Sequence, residues 1–288
     1  MTRMLKSGMT ANASGSGHLS EFTGQVALIG AGKMGGAMLG GWIGLGLDPA
    51  CIAVIEPQPA PVIAALAARG FKLNPDPLSL RPDVIVLAVK PQTAPEIVSQ
   101  VAGLTAPTSV VVSIMAGRTL AFLERALPPD AAIIRAMPNT PAAIFRGITV
   151  AVPNARVTPA QRQLAHSLLA ATGAVEWIAD EGLMDAVTAV SGSGPAYVFL
   201  LAESLARAGE AAGLPADLAT QLARATVAGA GELLHRSPLG ASQLRQNVTS
   251  PGGTTAAALD VLMAADGIDQ LMERAIAAAT RRSRELAG

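Results

Sequence analysis

The sequence predicts an α/β protein, with a doubly wound, mostly parallel sheet domain followed by an all-α domain. Three observations carry this reading. Up to about residue 181, short apolar runs alternate with helical stretches, the pattern of parallel strands joined by helical crossovers. The runs "DVIVLAV" (83–89) and "SVVVSIM" (109–115) are continuously apolar, as strands buried on both faces are. Beyond residue 182 the β-branched runs stop and long Ala/Leu-rich stretches follow, so the period changes from strand to helix.

The elements follow in order. Residues 1–22, "MTRMLKSGMTANASGSGHLSEF", are rich in Ser, Gly and Asn and lack the apolar core of a signal peptide. They are expected to be a disordered extension of a cytoplasmic protein. The sheet domain is expected over 23–181. Its strands are "QVALIG" (25–30), "CIAVIE" (51–56), the runs at 83–89 and 109–115, "AAIIRAM" (131–137), "GITVAV" (147–152) and "AVEWIA" (174–179). Helices are expected near 34–46, 60–69, 94–103, 119–127 and 159–172. The helical domain is expected over 182–288, with helices at 195–212, 215–236, 254–265 and 268–286 separated by breaks such as "AGLP" and "SPLG".

Composition narrows the function. The chain has 288 residues, enough to bury a sizeable core in two domains. Lys+Arg and Asp+Glu balance at 21 each and only 15% of residues are charged, so the electrostatic footprint of a nucleic-acid binder is missing. Half the residues are hydrophobic, yet no uninterrupted apolar run reaches the roughly 18 residues of a membrane span. A large subunit interface is the expected outlet for that apolar surplus. Cys51 is the single cysteine, which leaves no disulfide framework and no metal-binding pattern.

The first chemical signal is "ALIGAGKMGGAM" (27–38), where Gly30, Gly32 and Gly35 have the spacing G-x-G-x-x-G between a strand and a helix. Gly30 permits a tight turn, Gly32 lets the backbone approach a pyrophosphate, and Gly35 lets the helix pack on the sheet. Ala31, Lys33 and Met34 complete the loop, and the helix start offers free N–H groups to phosphate. Glu56 ends the second strand, 21 residues past Gly35, where a carboxylate accepts bonds from ribose hydroxyls and repels a 2′-phosphate. The next basic residue after it is Arg69, so NADH is expected to be preferred over NADPH, although Lys33 is available to a 2′-phosphate. "LAVKP" places Ala88, Val89, Lys90 and Pro91 at the end of another parallel strand, where ligands bind in this architecture. "MPNTP" (137–141) is a stiff loop whose Asn139 and Thr140 can pair with an amide such as the nicotinamide carboxamide.

Acid–base machinery is sparse. His18 lies in the N-terminal extension, His166 on a surface-type helix and His235 near a helix end, none with a partner at a catalytic spacing. A reaction needing little help from protein acids and bases fits best, and hydride transfer to an electrophilic carbon is one, since the cofactor carries the hard step. The four lysines are Lys6, Lys33, Lys72 and Lys90. The β-hydroxyacid dehydrogenases use a lysine in the later, helical part of the chain, so that reading is disfavoured.

Five segments, "GAGKMGGAM", "AVKP", "MPNTP", "AVSGSGPAYVFLLAESL" (189–205) and above all "NVTSPGGTTAAAL" (247–259), resemble the pyrroline-5-carboxylate reductases. The resemblance spans 25 to about 286. It implies a Rossmann-like domain, a helical dimerisation domain, an obligate homodimer and, in many members, a decamer. The implied reaction is NAD(P)H-dependent reduction of 1-pyrroline-5-carboxylate to L-proline, the last step of proline biosynthesis. It also implies that Gly252 and Gly253 bring backbone N–H groups to the substrate carboxylate, with Ser250 beside them and the Thr254 hydroxyl adding a bond. Thr255 is similar to the family threonine that bonds the ring nitrogen, and it is the catalytic candidate. Asn247 is placed near either the nicotinamide or the substrate. Ser191, Gly192, Ser193 and Gly194 are expected to form a second small-residue loop. Two alternatives stay open: a related cyclic imine such as a six-membered imino acid, and a nucleotide-binding regulatory protein without catalysis.

Overall fold

The structure is a computed structural model, and it describes residues 19–287. His18 and the rest of the expected N-terminal extension lie outside these residues, apart from its last four. Those four do have a place in the fold. Leu19–Glu21 form a helical turn, Leu19 is 3% exposed within the core, and Phe22 packs against it. The folded domain therefore begins before residue 23, because two apolar side chains in "HLSEF" suffice to anchor a short segment.

The chain divides into two compact units, the first ending at Met184 and the second running from Asp185 to Leu286. The first unit holds one eight-stranded sheet. Its strands are β1 (Val26–Ile29), β2 (Ile52–Ile55), β3 (Lys72–Leu73), β4 (Val84–Leu87), β5 (Val110–Ser113), β6 (Ala132–Met137), β7 (Gly147–Pro153) and β8 (Gly173–Trp177). Their order across the sheet is β3-β2-β1-β4-β5-β6-β7-β8. All four residues of β1, β4 and β5 are buried. Helices α1 (Lys33–Gly44), α2 (Pro61–Leu66), α3 (Ala94–Ala102), α4 (Leu120–Ala126) and α5 (Pro159–Ala170) supply the crossovers. Trp42 of α1 is fully buried, and its indole N–H donates to the Leu168 carbonyl of α5 at 2.8 Å, so an apolar body and a polar tip are both satisfied.

The direction of winding reverses between β1 and β4. β1 pairs in parallel with β2 on one side and with β4 on the other. The connections leaving β1 and β4 therefore diverge to opposite faces of the sheet, and the crevice at the carboxyl ends of these two strands is where such sheets bind ligands.

Two features escape the sequence pattern. β3 has two residues, too few to show a period. β6 and β7 pair antiparallel, from Ile134 opposite Pro153 to Met137 opposite Val150. They are joined without a crossover helix, through a tight turn at Thr140–Ile144 with Phe145 at φ 59°.

In the second unit α6 (Met184–Val187, its first residue in the sheet unit) leads into a five-residue π turn, Thr188–Gly192. Helices α7 (Gly194–Ala211), α8 (Ala216–Arg236), α9 (Ala241–Asn247), α10 (Thr254–Leu262) and α11 (Ile268–Ala287) follow. The small-residue stretch 191–194, expected as a loop, instead joins two helical segments: Ser191 and Gly192 end the π turn, Ser193 is a bend, and Gly194 starts α7. α9 was not foreseen, since Ala241 and Leu244 are its only apolar residues and are too few to show a period. The Ser283 hydroxyl of α11 donates to Asp185 Oδ1 at 2.6 Å, which ties the last helix to the first. In the single chain only Ala219 and Ala223 of α7 and α8 are buried, whereas Phe199 is 63% exposed and Leu234 50%. Among the described residues no helix is long and apolar enough to cross a membrane.

Candidate active site

The glycine loop is built by close approach. A Cβ on Gly30, which has φ 94°, would stand 2.7 Å from the Ala88 carbonyl oxygen, and one on Gly35 would collide with the Gly30 carbonyl. These two glycines are required by the protein's own packing. Gly32 is different, because a Cβ there would meet nothing within 4 Å. It caps α1, which has no side-chain cap, and the first turn closes with Gly36 N–H on the Gly32 carbonyl at 2.8 Å. The N–H groups of the first helical turn face this open cradle, which suits a pyrophosphate. The residues present therefore fit the nucleotide that the motif implies.

Glu56 is fixed beside the loop. Its Oε2 accepts the Ala31 N–H at 2.9 Å and its Oε1 accepts the Gln58 N–H at 3.1 Å. Each carboxylate oxygen has a further lone pair for a ribose hydroxyl. Asn74, at φ 49°, clamps the Glu56 backbone from behind. Its Oδ1 accepts the Glu56 N–H at 2.8 Å and its Nδ2 donates to the Glu56 carbonyl at 2.9 Å. An Asn-Pro pair after a two-residue strand was the only sequence signal for this clamp.

Ala88, Val89, Lys90 and Pro91 leave β4 beside the glycine loop, with Ala88 N–H donating to the Ile29 carbonyl at 2.8 Å. The Lys90 side chain is exposed, as is that of Lys33, while Met34 is partly covered. Asn139 is only half available. Its Oδ1 accepts the Ile148 N–H at 2.9 Å across the β6–β7 connection, so its NH₂ is the part left for an amide carbonyl. Thr140 follows it, exposed, at the start of the turn.

The second unit carries the other group of candidates. The turn after α9 places Gly252 at φ 69°, a region where glycine is favoured, and a Cβ there would meet nothing within 4 Å. Gly253 N–H donates to the Ser250 carbonyl at 3.0 Å and Gly253 caps α10 without a side-chain bond. The first turn of α10 thus presents unclaimed N–H donors together with the Thr254 and Thr255 hydroxyls, neither of which bonds another described residue. Thr255 is half-buried, and Ser250, Thr254 and Asn247 are exposed. Asn247 Oδ1 accepts from the Gln243 amide at 3.0 Å. In the π turn the Ser191 hydroxyl oxygen is buried with no partner among the described residues, and the Tyr197 hydroxyl bonds the Ala189 carbonyl at 3.1 Å.

Comparison with known proteins agrees with both halves. A family model described as pyrroline-5-carboxylate reductase dimerisation matches residues 181–286, and one described as coenzyme F420-dependent NADP oxidoreductase matches 25–117. A pyrroline-5-carboxylate reductase of Pseudomonas aeruginosa is 40% identical over 268 residues, covering 92% of this chain and 97% of the relative. The chain belongs to the pyrroline-5-carboxylate reductase family. A member from a plant, Glycine max, is 37% identical over 264 residues, covering 91% of this chain and 95% of the relative. The solved family structure from Coxiella burnetii superposes with a TM-score of 0.86 at 35% identity, covering 93% of this chain and all of that one. The Plasmodium falciparum family member, solved with NADP bound, gives 0.77 at 27% identity over 92% of this chain and 99% of that one.

Three residues of this family member were not singled out from sequence. Arg135, 5% exposed in β6, donates to Glu181 at 2.7 Å, and the same Glu181 oxygen accepts the Leu120 N–H at 2.8 Å. Arg118 bonds the Pro91 carbonyl. None of the three lies in a motif, and only their partners in space reveal them. His166, read as bland, accepts the Trp177 indole N–H at 3.2 Å, which is a packing role.

Proposed function

We propose that this chain reduces 1-pyrroline-5-carboxylate to L-proline with a reduced nicotinamide nucleotide, using the glycine loop for the nucleotide and the Ser250–Thr255 turn for the imino acid. The observation that carries the reading is the Gly252–Thr255 turn. Its open, donor-lined helix start recognises a small carboxylate, in a chain whose other unit carries a nucleotide cradle.

The cofactor, when bound, supplies the hydride. The protein's part is to bind, orient and manage one proton. N–H groups at the start of α1 hold the pyrophosphate, and Glu56 accepts the ribose hydroxyls. Ala88 to Pro91, with the Asn139 amide and Thr140, border the nicotinamide end. The N–H groups of Thr254 and Thr255, which the Gly252–Gly253 turn leaves open, hold the substrate carboxylate together with the Ser250 and Thr254 hydroxyls. Thr255 bonds the ring nitrogen and orients the proton it acquires as hydride reaches the adjacent carbon. Asn247 sits at the edge of this group. Glu56 favours NADH, because its carboxylate is held where a 2′-phosphate would have to enter. We assign the sheet unit, which takes in Leu19–Phe22 and ends at Met184, to nucleotide binding, and the helical unit from Asp185 to dimerisation and substrate binding. A homodimer, with dimers joining into a decamer, is the assembly we propose. Reduced nicotinamide nucleotide is an intracellular reductant, which supports a cytoplasmic location.

A steady-state assay with NADH and NADPH side by side tests the reading. Oxidation that depends on pyrroline-5-carboxylate is the expected result. Turnover of a six-membered cyclic imino acid alone would move the substrate, and nucleotide binding without turnover of either imine would remove the catalytic assignment.

A further inference from the structure

Arg118 has no part in the roles assigned so far, yet its guanidinium grips the loop that leaves β4. It follows Gly117, whose φ of 69° lets the β5–α4 connection turn sharply. Arg118 Nε and Nη2 both donate to the Pro91 carbonyl oxygen, at 3.0 and 2.6 Å. The guanidinium also lies over the Phe122 ring, 4.8 Å from its centroid. Phe122 is itself fixed in the first turn of α4, where its N–H donates to the Thr119 hydroxyl at 3.1 Å. The fork is therefore held by a ring on its face and a carbonyl at its edge.

The grip completes a set of restraints on one short loop. The Lys90 carbonyl accepts the Thr93 N–H at 3.1 Å and the Thr93 hydroxyl at 3.0 Å. The Pro91 carbonyl accepts the Ala94 N–H besides the two Arg118 donors. All of these except the Arg118 bonds are local to residues 90–94. Among the described residues, the hydrogen bonds that tie this turn to the next strand connection come from Arg118. Upstream in the same loop, the Ala88 carbonyl lies so close to Gly30 that a Cβ there would stand 2.7 Å away. A shift of the Lys90–Pro91 turn would reach the glycine loop through Ala88, and displacements of about 1 Å at positioning groups are costly.

We infer that Arg118 is a positioning residue for the nicotinamide nucleotide, holding Ala88–Thr93 in the conformation that receives it without touching it. The inference rests on the cofactor reading of that loop given above. An arginine is needed because lysine, a point donor on a flexible stem, cannot place two donors on one carbonyl while stacking flat on a ring.

The test compares wild type, Arg118→Ala and Arg118→Lys by NADH fluorescence titration, thermal midpoint and steady-state kinetics. Arg118→Ala is expected to weaken NADH binding about tenfold, equivalent to about 1.4 kcal/mol, with the KM for the imine nearly unchanged. Arg118→Lys, which keeps the charge, is expected to recover only part of the affinity. Guanidinium ion at millimolar concentration is expected to tighten NADH binding to Arg118→Ala and leave wild type unaffected. Wild-type NADH affinity in Arg118→Ala would overturn the inference alone. So would parallel losses of NADH affinity, imine affinity and thermal midpoint in both variants without a guanidinium response, the mark of a merely structural arginine. Failure of the wild type to bind NADH would overturn the cofactor reading together with this inference.

Discussion

Glu56 shows how one side chain can shape a loop and discriminate a ligand at once. Its two oxygens each hold a backbone N–H, one from the glycine loop and one from the turn after β2. The carboxylate is thereby aimed rather than free to swing away from an incoming phosphate. Replacing it with serine removes the charge and releases the Ala31 and Gln58 N–H groups, which a 2′-phosphate can then accept. Glu56→Ser is expected to shift the ratio of kcat/KM for NADPH over NADH upward by about tenfold, a change of about 1.4 kcal/mol. Parallel initial-rate measurements decide it, and an unmoved ratio would show that Glu56 does not read the ribose. Thr255 works by a different logic, since its hydroxyl bonds no other described residue and so is available to substrate. Thr255→Ala is expected to lower kcat about 10²-fold, the lower end of what positioned proton transfer contributes, while NADH affinity stays the same. Normal turnover in that variant would take Thr255 out of the mechanism.

Motif residues were legible because their elements impose them. Gly30 and Gly35 are demanded by strand–helix packing and Gly252 by a left-handed turn, and such constraints leave marks in sequence. The buried runs of β1, β4 and β5 were equally plain. What escaped was whatever has no period or acts across the sheet: the two-residue β3, the antiparallel β6–β7 pair, the π turn and the polar ties. Glu181 illustrates the last class. It lies just past β8, far from its partners in sequence, yet one oxygen serves both the buried Arg135 of β6 and the first N–H of α4. Removing it strands a guanidinium whose side chain is 6% exposed, whereas the carboxylate itself is 27% exposed. Glu181→Ala is expected to cost about 3 kcal/mol, because an uncompensated buried charge is left behind. Urea unfolding compared with the wild type measures it, and a loss below about 0.5 kcal/mol, the range of an ordinary surface change, would show the tie to be dispensable.

At the scale of the whole molecule the helical unit presents the larger physical problem. Of α7 and α8 only Ala219 and Ala223, both on α8, are buried in the single chain, and Phe199, Leu222 and Leu234 are 63%, 47% and 50% exposed. Apolar surface of that extent seldom persists on a monomer. The family model matching residues 181–286 is one of dimerisation, so a second copy is the cover expected. Stability then becomes inseparable from protomer concentration. The thermal midpoint is expected to rise with protein concentration under otherwise fixed conditions. Phe199→Asp separates a covered face from a bare one. On a bare face the change would cost about 0.5 kcal/mol or less. In an interface it buries an unpaired carboxylate, which is strongly unfavourable. Sedimentation of the variant is expected to show dissociated protomers and a midpoint that no longer depends on concentration. A variant sedimenting like the wild type would place Phe199 outside the interface. If the wild-type midpoint were also independent of concentration, the apolar face of the helical unit would need another explanation.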